Sequence, residues 1–354
     1  MKLPESTDIF NIKGAVLSSE PMWRHTTFGV GGAAELYAVP ADTDDLARLL
    51  TAAGREGIPV FILGGGSNLL VSDKGISGLV IDTRSFRDYY LESGGKIAAA
   101  GPSASAPNTA AQKAPPAGQS PDASSSDVLV LGAGLPISDA AWTAGSQGLA
   151  GLEMFFAMPG SVGGAIWMNA RCYGGEIADR LLWADIMLPG GRLQRIEKQT
   201  DQWSYKKSPF QTKKAVIVRG AFAMDRKDPK MLREQMLENR NHREQRGHFR
   251  APCAGSTFKN NRQFGEPSGA LIDRCGLKGQ REGGAAVSSW HGNILINDGG
   301  ACAADILTLI KRIAGEVEER TGFRMEMEVQ LAGDWPGDCA GDWPGDRPGN
   351  LEKN

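Results

Sequence analysis

No apolar run in this chain of 354 residues approaches the roughly 20 residues needed to cross a bilayer. The chain also lacks a surplus of positive charge. Its 39 Lys+Arg stand against 41 Asp+Glu, a formal net charge of -2, whereas nucleic-acid binding draws its affinity from a basic surface. Cysteine is scarce, with 5 residues and no CxxC pair. A disulfide scaffold is therefore not expected, and a reducing cytoplasm is. The opening MKLPESTDIF has no basic region followed by an apolar stretch, so no secretory leader is expected. With 41% hydrophobic and 23% charged residues, the remaining class is a soluble globular protein long enough for two or three domains.

What the chain has in excess is glycine, 46 residues, much of it in clusters. Gly64-Gly65-Gly66-Ser67-Asn68 follows the apolar PVFIL at 59–63. Pro159-Gly160-Ser161-Val162-Gly163-Gly164 forms a second cluster, and Gly31-Gly32 a third. The first is not a Walker A loop, because no GK[ST] follows, and it is not the GxGxxG of a Rossmann unit. Residues without Cβ let backbone N–H groups approach an anion closely. On chemistry alone two readings stay open: a long diphosphate-bearing cofactor held by backbone, or three unrelated turns.

Strand-like and helix-like patterns alternate around these loops. Leu46, Leu49, Leu50 and Ala53 fall at helical spacing behind an Asp42 N-cap, which predicts a helix over 42–54. PVFIL at 59–63 and VLVL at 128–131 read as buried strands. Asp228-Pro229 opens a polar helix through about Arg246. Ile306, Leu309, Ile310, Ile313 and Val317 make an apolar stripe on a helix that Gly322 ends. The segment FRMEMEVQL at 323–331 alternates strictly, which predicts a strand with Glu326 and Glu328 on its polar face. On alternation alone that face is solvated rather than catalytic. Residues 101–127 are Ala/Pro/Ser-rich, without Ile, Leu, Val or aromatics, and read as a disordered insertion. The tail 334–354, with GDWPGD at 333–338 and 341–346, reads as dangling. His242, His248 and Cys253 fit no metal-ligand spacing, so no metal is expected.

Seven blocks occur in a specific order: TTFGVGGAAEL (26–36), LGGGSNLLV (63–71), LEMFFAMPGSVGGAIWMNA (152–170), AGSTFKN (254–260), ALIDRCGLKG (270–279), GGAAVSSWHGNILIN (283–297) and MEMEVQLAG (325–333). In that order the chain resembles the UDP-N-acetylenolpyruvoylglucosamine reductases, and among them the subtype without the extra tyrosine-bearing loop. The resemblance implies an α+β fold: a two-lobed FAD-binding module of the vanillyl-alcohol oxidase/PCMH type over 1–225, and a smaller α+β substrate-binding domain over 226–333. It implies non-covalent FAD, NADPH as reductant, and reduction of UDP-N-acetylglucosamine enolpyruvate to UDP-N-acetylmuramate in cytoplasmic peptidoglycan precursor synthesis. Its partners would be these small molecules, with no nucleic acid and no membrane, and protein partners stay open.

The same resemblance assigns the site. Ser256 would be the proton donor, Glu328 the carboxylate that supports the developing intermediate, and Lys206 the cation for the substrate carboxylate. Gly64, Gly65, Gly66, Ser67, Asn68, Pro159, Gly160, Ser161, Gly163 and Gly164 would hold FAD. Tyr205, Lys259 and Asn260 would contact substrate. The chain departs from the pattern in four places. Lys206 stands where Tyr-Arg-x-Ser has Arg, which keeps the charge and loses the planar fork. Asn261 replaces a proline, and Ala157 and Arg171 replace glycines. Two other readings are a different FAD oxidase or dehydrogenase sharing the flavin lobe, and an inactive flavin-binding protein with the Trp/Pro tail as an interaction arm.

Overall fold

The computed structural model describes residues 7–93, 96–100 and 127–336. The insertion read at 101–127, but for Asp127, and the tail beyond 336 lie outside the described residues.

The first lobe carries β1 (Ala15–Pro21), β2 (Ala33–Val39), α1 (Thr43–Glu56), β3 (Val60–Leu63), β4 (Leu69–Val71) and β5 (Ile76–Asp82). Its sheet runs β1-β2-β5-β3, with β2 and β3 both parallel to β5. The Asp42 side chain accepts from the Asp45 N–H, as an N-cap should, and Gly57 at φ 65 closes the helix two residues beyond the expected end. Leu46, Leu49 and Ala53 are fully buried, so the helical spacing that announced α1 is also the stripe that docks it.

The second lobe is a larger, mostly antiparallel sheet. It contains β6 (Tyr89–Ser93), β7 (Lys96–Ala100), β8 (Asp127–Gly132), β9 (Leu149–Ala150), β12 (Leu181–Met187), β13 (Leu193–Glu197) and β14 (Val216–Arg226); a small hairpin of β10 (Arg171–Cys172) and β11 (Gly175–Glu176) lies between. The order β13-β12-β14-β8-β6-β7 puts β8 and β14 in the middle, which is why VLVL is apolar on both faces. Helices α2 (Ile137–Ser146) and α3 (Val162–Trp167) cover it, and α4 (Pro229–Gln245) packs on α2.

The remaining layer holds α5 (Ser268–Arg274), the sheet β15 (Arg281–Glu282)-β16 (Ala285–Val287)-β17 (Leu295–Asn297), and α6 (Ala303–Thr321). Ile306, Leu309, Ile310, Ile313 and Val317 are all at 0% exposure, and Gly322 adopts φ 73. Burial of each such side chain is worth about 1.5–3 kcal/mol.

The expected strand over 323–331 is a correction. Only β18 (Gln330–Ala332) is regular, parallel to β4, while Met327 makes an isolated bridge to Phe258. The alternation still holds for Met325, Met327 and Val329, which are buried. It fails at Glu328, which is buried too, at 9% exposure. The start of the tail is fastened rather than dangling. Asp334 accepts from Ser72 Oγ at 2.8 Å, and Trp335 packs on the C-terminal core.

Candidate active site

A cavity of about 950 Å³ lies between the glycine loops, α3, the end of α4 and the C-terminal strand. That is large for a ligand site, since pockets commonly run about 300–1,000 Å³. Both glycine clusters line it, with Gly64, Gly65, Gly66, Ser67 and Asn68 on one side and Pro159, Gly160, Ser161, Gly163 and Gly164 on the other. The loops meet backbone to backbone. A Cβ on Gly65 would lie 2.6 Å from Gly160 Cα, and one on Gly64 would lie 2.7 Å from Ser161 Oγ. Gly66 adopts φ 63. Side chains at these positions would close the cradle, so glycine is required by space as well as by torsion.

The cradle suits a diphosphate. The N–H groups of Gly65, Gly66 and Ser67 donate to no acceptor among the described residues, and Thr27 Oγ1, on the same cavity, is buried without a partner. Gly66 is buried and Gly65 and Ser67 are half-buried, and donors left open on a cavity wall suit an acceptor. Phe61, Ile62, Trp167, Phe210 and Ile217 add apolar wall for a flat ring system. The residues therefore fit FAD.

Ser256, Lys206 and Glu328 line the same cavity, although they come from three distant stretches of chain. Lys206 Nζ lies 2.5 Å from Glu328 Oε1, with side chains 13% and 11% exposed. A charged pair this dry is held by geometry, because breaking either partner strands the other. Lys206 has φ 59, an uncommon torsion for a residue with Cβ, and its carbonyl accepts from Gln211 Nε2 at 3.0 Å. On the Glu328 side, Asn68 Nδ2 donates to the Glu328 carbonyl at 3.0 Å. The cofactor loop and the segment that carries Glu328 are thus tied directly. The Ser256 loop is placed by its neighbours: the Thr257 N–H donates to the Asn293 carbonyl, and the Glu328 N–H to the Thr257 carbonyl at 2.8 Å.

Tyr205, Lys259 and Asn260 are not part of the cavity wall. Lys259 pairs with Glu326, whose side chain is 48% exposed, and Asn260 Oδ1 accepts from the Ser268 N–H. Lys207 is exposed. Of the substituted glycines, Ala157 keeps the left-handed torsion at φ 59, whereas Arg171 sits in β10 without positive φ and the strain falls instead on Asn169 and Tyr173.

One wall has no counterpart in the sequence reading. Arg243 and Arg246 at the end of α4, with Tyr173, His242 and Phe249, line the mouth. Tyr173 Oη lies 3.0 Å from His242 Nδ1, and Arg243 lies over the Tyr173 ring at 5.3 Å. Burial, with help from Arg243 and His291, pushes His248 down to about 4 and leaves it neutral. The i, i+3 arginines were the available signal; the helix reads simply as polar because nothing local ties them to a cavity.

Residues 247–332 match the family described as UDP-N-acetylenolpyruvoylglucosamine reductase, C-terminal domain, and residues 34–121 and 118–197 match an FAD binding domain. The chain is 38% identical to the UDP-N-acetylenolpyruvoylglucosamine reductase of Treponema denticola, over 93% of this chain and 97% of that protein. It is 35% identical to that of Heliobacterium modesticaldum, over 92% and 94%. Among solved structures it is similar to the UDP-N-acetylenolpyruvylglucosamine reductase of Thermus caldophilus, with TM-score 0.67 and 28% identity over 92% of this chain and 100% of that one.

Proposed function

The chain belongs to the UDP-N-acetylenolpyruvoylglucosamine reductase family, and on that premise we propose roles for the residues that line its cavity. It is an FAD-dependent oxidoreductase of peptidoglycan precursor synthesis, with NADPH as reductant and UDP-N-acetylglucosamine enolpyruvate as substrate. Its fold is α+β with a two-lobed FAD-binding module. Residues 1–225 form that module and 226–333 the substrate-binding domain, with α4 packed back on the module. No helix among the described residues is long and apolar enough to cross a membrane; action in the cytoplasm on small molecules is part of the same reading.

Bound between the two glycine loops, FAD would supply the redox chemistry, carrying a hydride equivalent from NADPH to C3 of the enolpyruvyl group. The protein must then manage the negative charge that develops at C2 and on the adjoining carboxylate. Gly64–Asn68 and Pro159–Gly164 would hold the cofactor: the first loop offers the open N–H groups of Gly65, Gly66 and Ser67, whereas those of Val162, Gly163 and Gly164 already donate to Leu135, Ala133 and Ser161. Lys206 meets the substrate carboxylate with a fixed positive charge and steadies the intermediate. Its single ammonium cannot grip both carboxylate oxygens as a guanidinium does, so orientation depends on Glu328, which pins Nζ. Ser256 supplies the proton to C2. A serine hydroxyl is a weak acid, but the carbanion it quenches is far more basic. Tyr205, Lys259 and Asn260 line no part of this cavity, and their contact with substrate rests on the resemblance alone.

The observation that carries this reading is the convergence of Ser256, Lys206 and Glu328 on the cavity that the glycine loops line. Single-turnover kinetics test it. With Ser256→Ala, reduction of the bound flavin by NADPH keeps its rate. Reoxidation by the enolpyruvyl substrate slows by about 10²–10⁴, the usual range for a lost proton donor. Equal slowing of both halves, or of neither, contradicts the assignment.

A further inference from the structure

The turn that carries Lys206 is held in a form its own residues do not favour. The Lys207 N–H donates to the Ser204 carbonyl at 2.9 Å, and the Ser204 N–H donates to the Lys207 carbonyl at 3.2 Å. Tyr205 and Lys206 are therefore the two central residues of a tight turn. The second of them has φ 59 and the first has no positive φ, a pattern that takes glycine or asparagine at the second place. A side chain with Cβ is strained at that torsion, and such strain persists only where the surroundings impose it. Glycine would relieve the strain, but it would also remove the cation.

Three side chains supply the hold. Asn169, at 0% exposure, donates from Nδ2 to the Ser204 carbonyl at 2.9 Å, while its Oδ1 accepts from the Ala178 N–H at 3.0 Å. Ser208 Oγ donates to the Trp167 carbonyl at 2.7 Å. Gln211 Nε2 donates twice, to the Trp167 carbonyl at 3.1 Å and to the Lys206 carbonyl at 3.0 Å. Both acceptors are carbonyls, so the amide has one orientation and both its N–H groups are used. Trp167 ends α3, whose N-cap is Ser161 of the second glycine loop. Lys206 is thus tied through Gln211 to an element that lines the cofactor's place. Gln211 and Trp167 line the cavity too, whereas Asn169 and Ser208 are not part of its wall.

We propose that Gln211 is a positioning residue for reduction of the enolpyruvyl group: its amide joins the end of α3 to the Lys206 carbonyl and keeps the turn in the left-handed form that delivers Nζ to Glu328. Lysine makes this hold necessary. Its single ammonium sits on a flexible stem, without the planar fork that orients a guanidinium on a carboxylate. Where Nζ comes to rest therefore depends on where the backbone launches the stem. Without the amide, the Lys206 peptide is free to relax toward the ordinary torsions. The Cα–Cβ bond then turns off the line that places Nζ 2.5 Å from Glu328 Oε1. Gln211 acts on the main chain of Lys206 and on that of Trp167, so its effect on the reaction passes through the cation.

The inference rests on the role read for Lys206, and a double-variant cycle separates the two. The FAD-loaded protein is followed by stopped-flow absorbance through both halves of the reaction. In Gln211→Met, which keeps the length and loses the amide, reduction by NADPH is expected to keep its rate, which also shows that the variant is folded and loaded. Reoxidation by UDP-N-acetylglucosamine enolpyruvate is expected to slow by about 10–100-fold, the scale of a displaced reacting group. Gln211→Glu, which keeps the shape but offers the two carbonyls no donor, is expected to do the same. In a Lys206→Ala background either substitution is expected to change reoxidation by less than about 2-fold, because nothing is left to position. A wild-type rate in both Gln211 variants, or equal slowing of both halves, overturns the proposal. So does a slowing as large without Lys206 as with it, which is the mark of a structural role or of direct contact with substrate. If Lys206→Ala alone reoxidises at the wild-type rate, the reading of Lys206 is what fails.

Discussion

Lys206 gathers the chemistry of the site into one residue. It reaches Glu328 at 2.5 Å from a backbone with φ 59, so both its charge and its unusual torsion serve a single position. Lys206→Ala removes the cation and leaves Glu328 buried without a partner. Turnover of the enolpyruvyl substrate is expected to fall about 10²–10³-fold, as when one charge-stabilising donor is lost, with reduction by NADPH intact. Stopped-flow absorbance separates the two halves, and an unchanged second half contradicts the role. Ala157 makes the converse case. Its φ of 59 is a torsion that glycine adopts without steric cost. Ala157→Gly relieves about 1–2 kcal/mol of left-handed strain and gives back about 0.5–1 in unfolded-state entropy. A net gain of up to about 1.5 kcal/mol in urea denaturation is expected, and a loss would show that the methyl packs.

Among the elements, α1 shows how much of a local structure can be read in advance. Its N-cap, apolar stripe and αL stop all follow from residues 42–57, because every one of those rules acts within a few turns. The 323–331 segment shows the limit. Period-two alternation placed Met325, Met327 and Val329 correctly inside, but it also put Glu328 in solvent. Glu328 is buried because Lys206, over a hundred residues away, comes to meet it, and alternation carries no information about such a partner. The same holds for Arg243 and Arg246, which belong to the site only through the packing of α4. The resemblance to a family, not the pattern, singled out Ser256 and Glu328.

Asp45 in α1 also predicts a pH dependence. Burial alone would raise its carboxyl, but the N–H groups of Lys13, Ala41 and Gly14 hold it below the ordinary carboxylate value. A carboxylate depressed on folding contributes stability that is full above its unfolded value of about 3.9 and is lost as pH falls through the folded value. The melting temperature should therefore drop steeply below about pH 4, and the drop should be shallower in Asp45→Asn, itself less stable at pH 7. An equally steep drop in the variant would assign the acid sensitivity elsewhere.

At the scale of the molecule, the C-terminal layer is not merely appended to the flavin lobes. β18 pairs with β4, Asp73 accepts from the Ala303 and Ala304 N–H groups at the start of α6, and Asn297 Nδ2 reaches the Phe28 carbonyl. These ties bring Ser256 and Glu328 over the cradle lined by Gly64 and Gly160. Neither part alone lines the cavity.

The central claim is that one cavity passes electrons from NADPH to an alkene through FAD. The direct measurement is the visible spectrum of the purified protein under anaerobic conditions. The protein should be yellow, bleach when NADPH is added, and regain its colour when UDP-N-acetylglucosamine enolpyruvate follows. A flavin that NADPH bleaches but the enolpyruvyl sugar nucleotide leaves reduced would contradict the account.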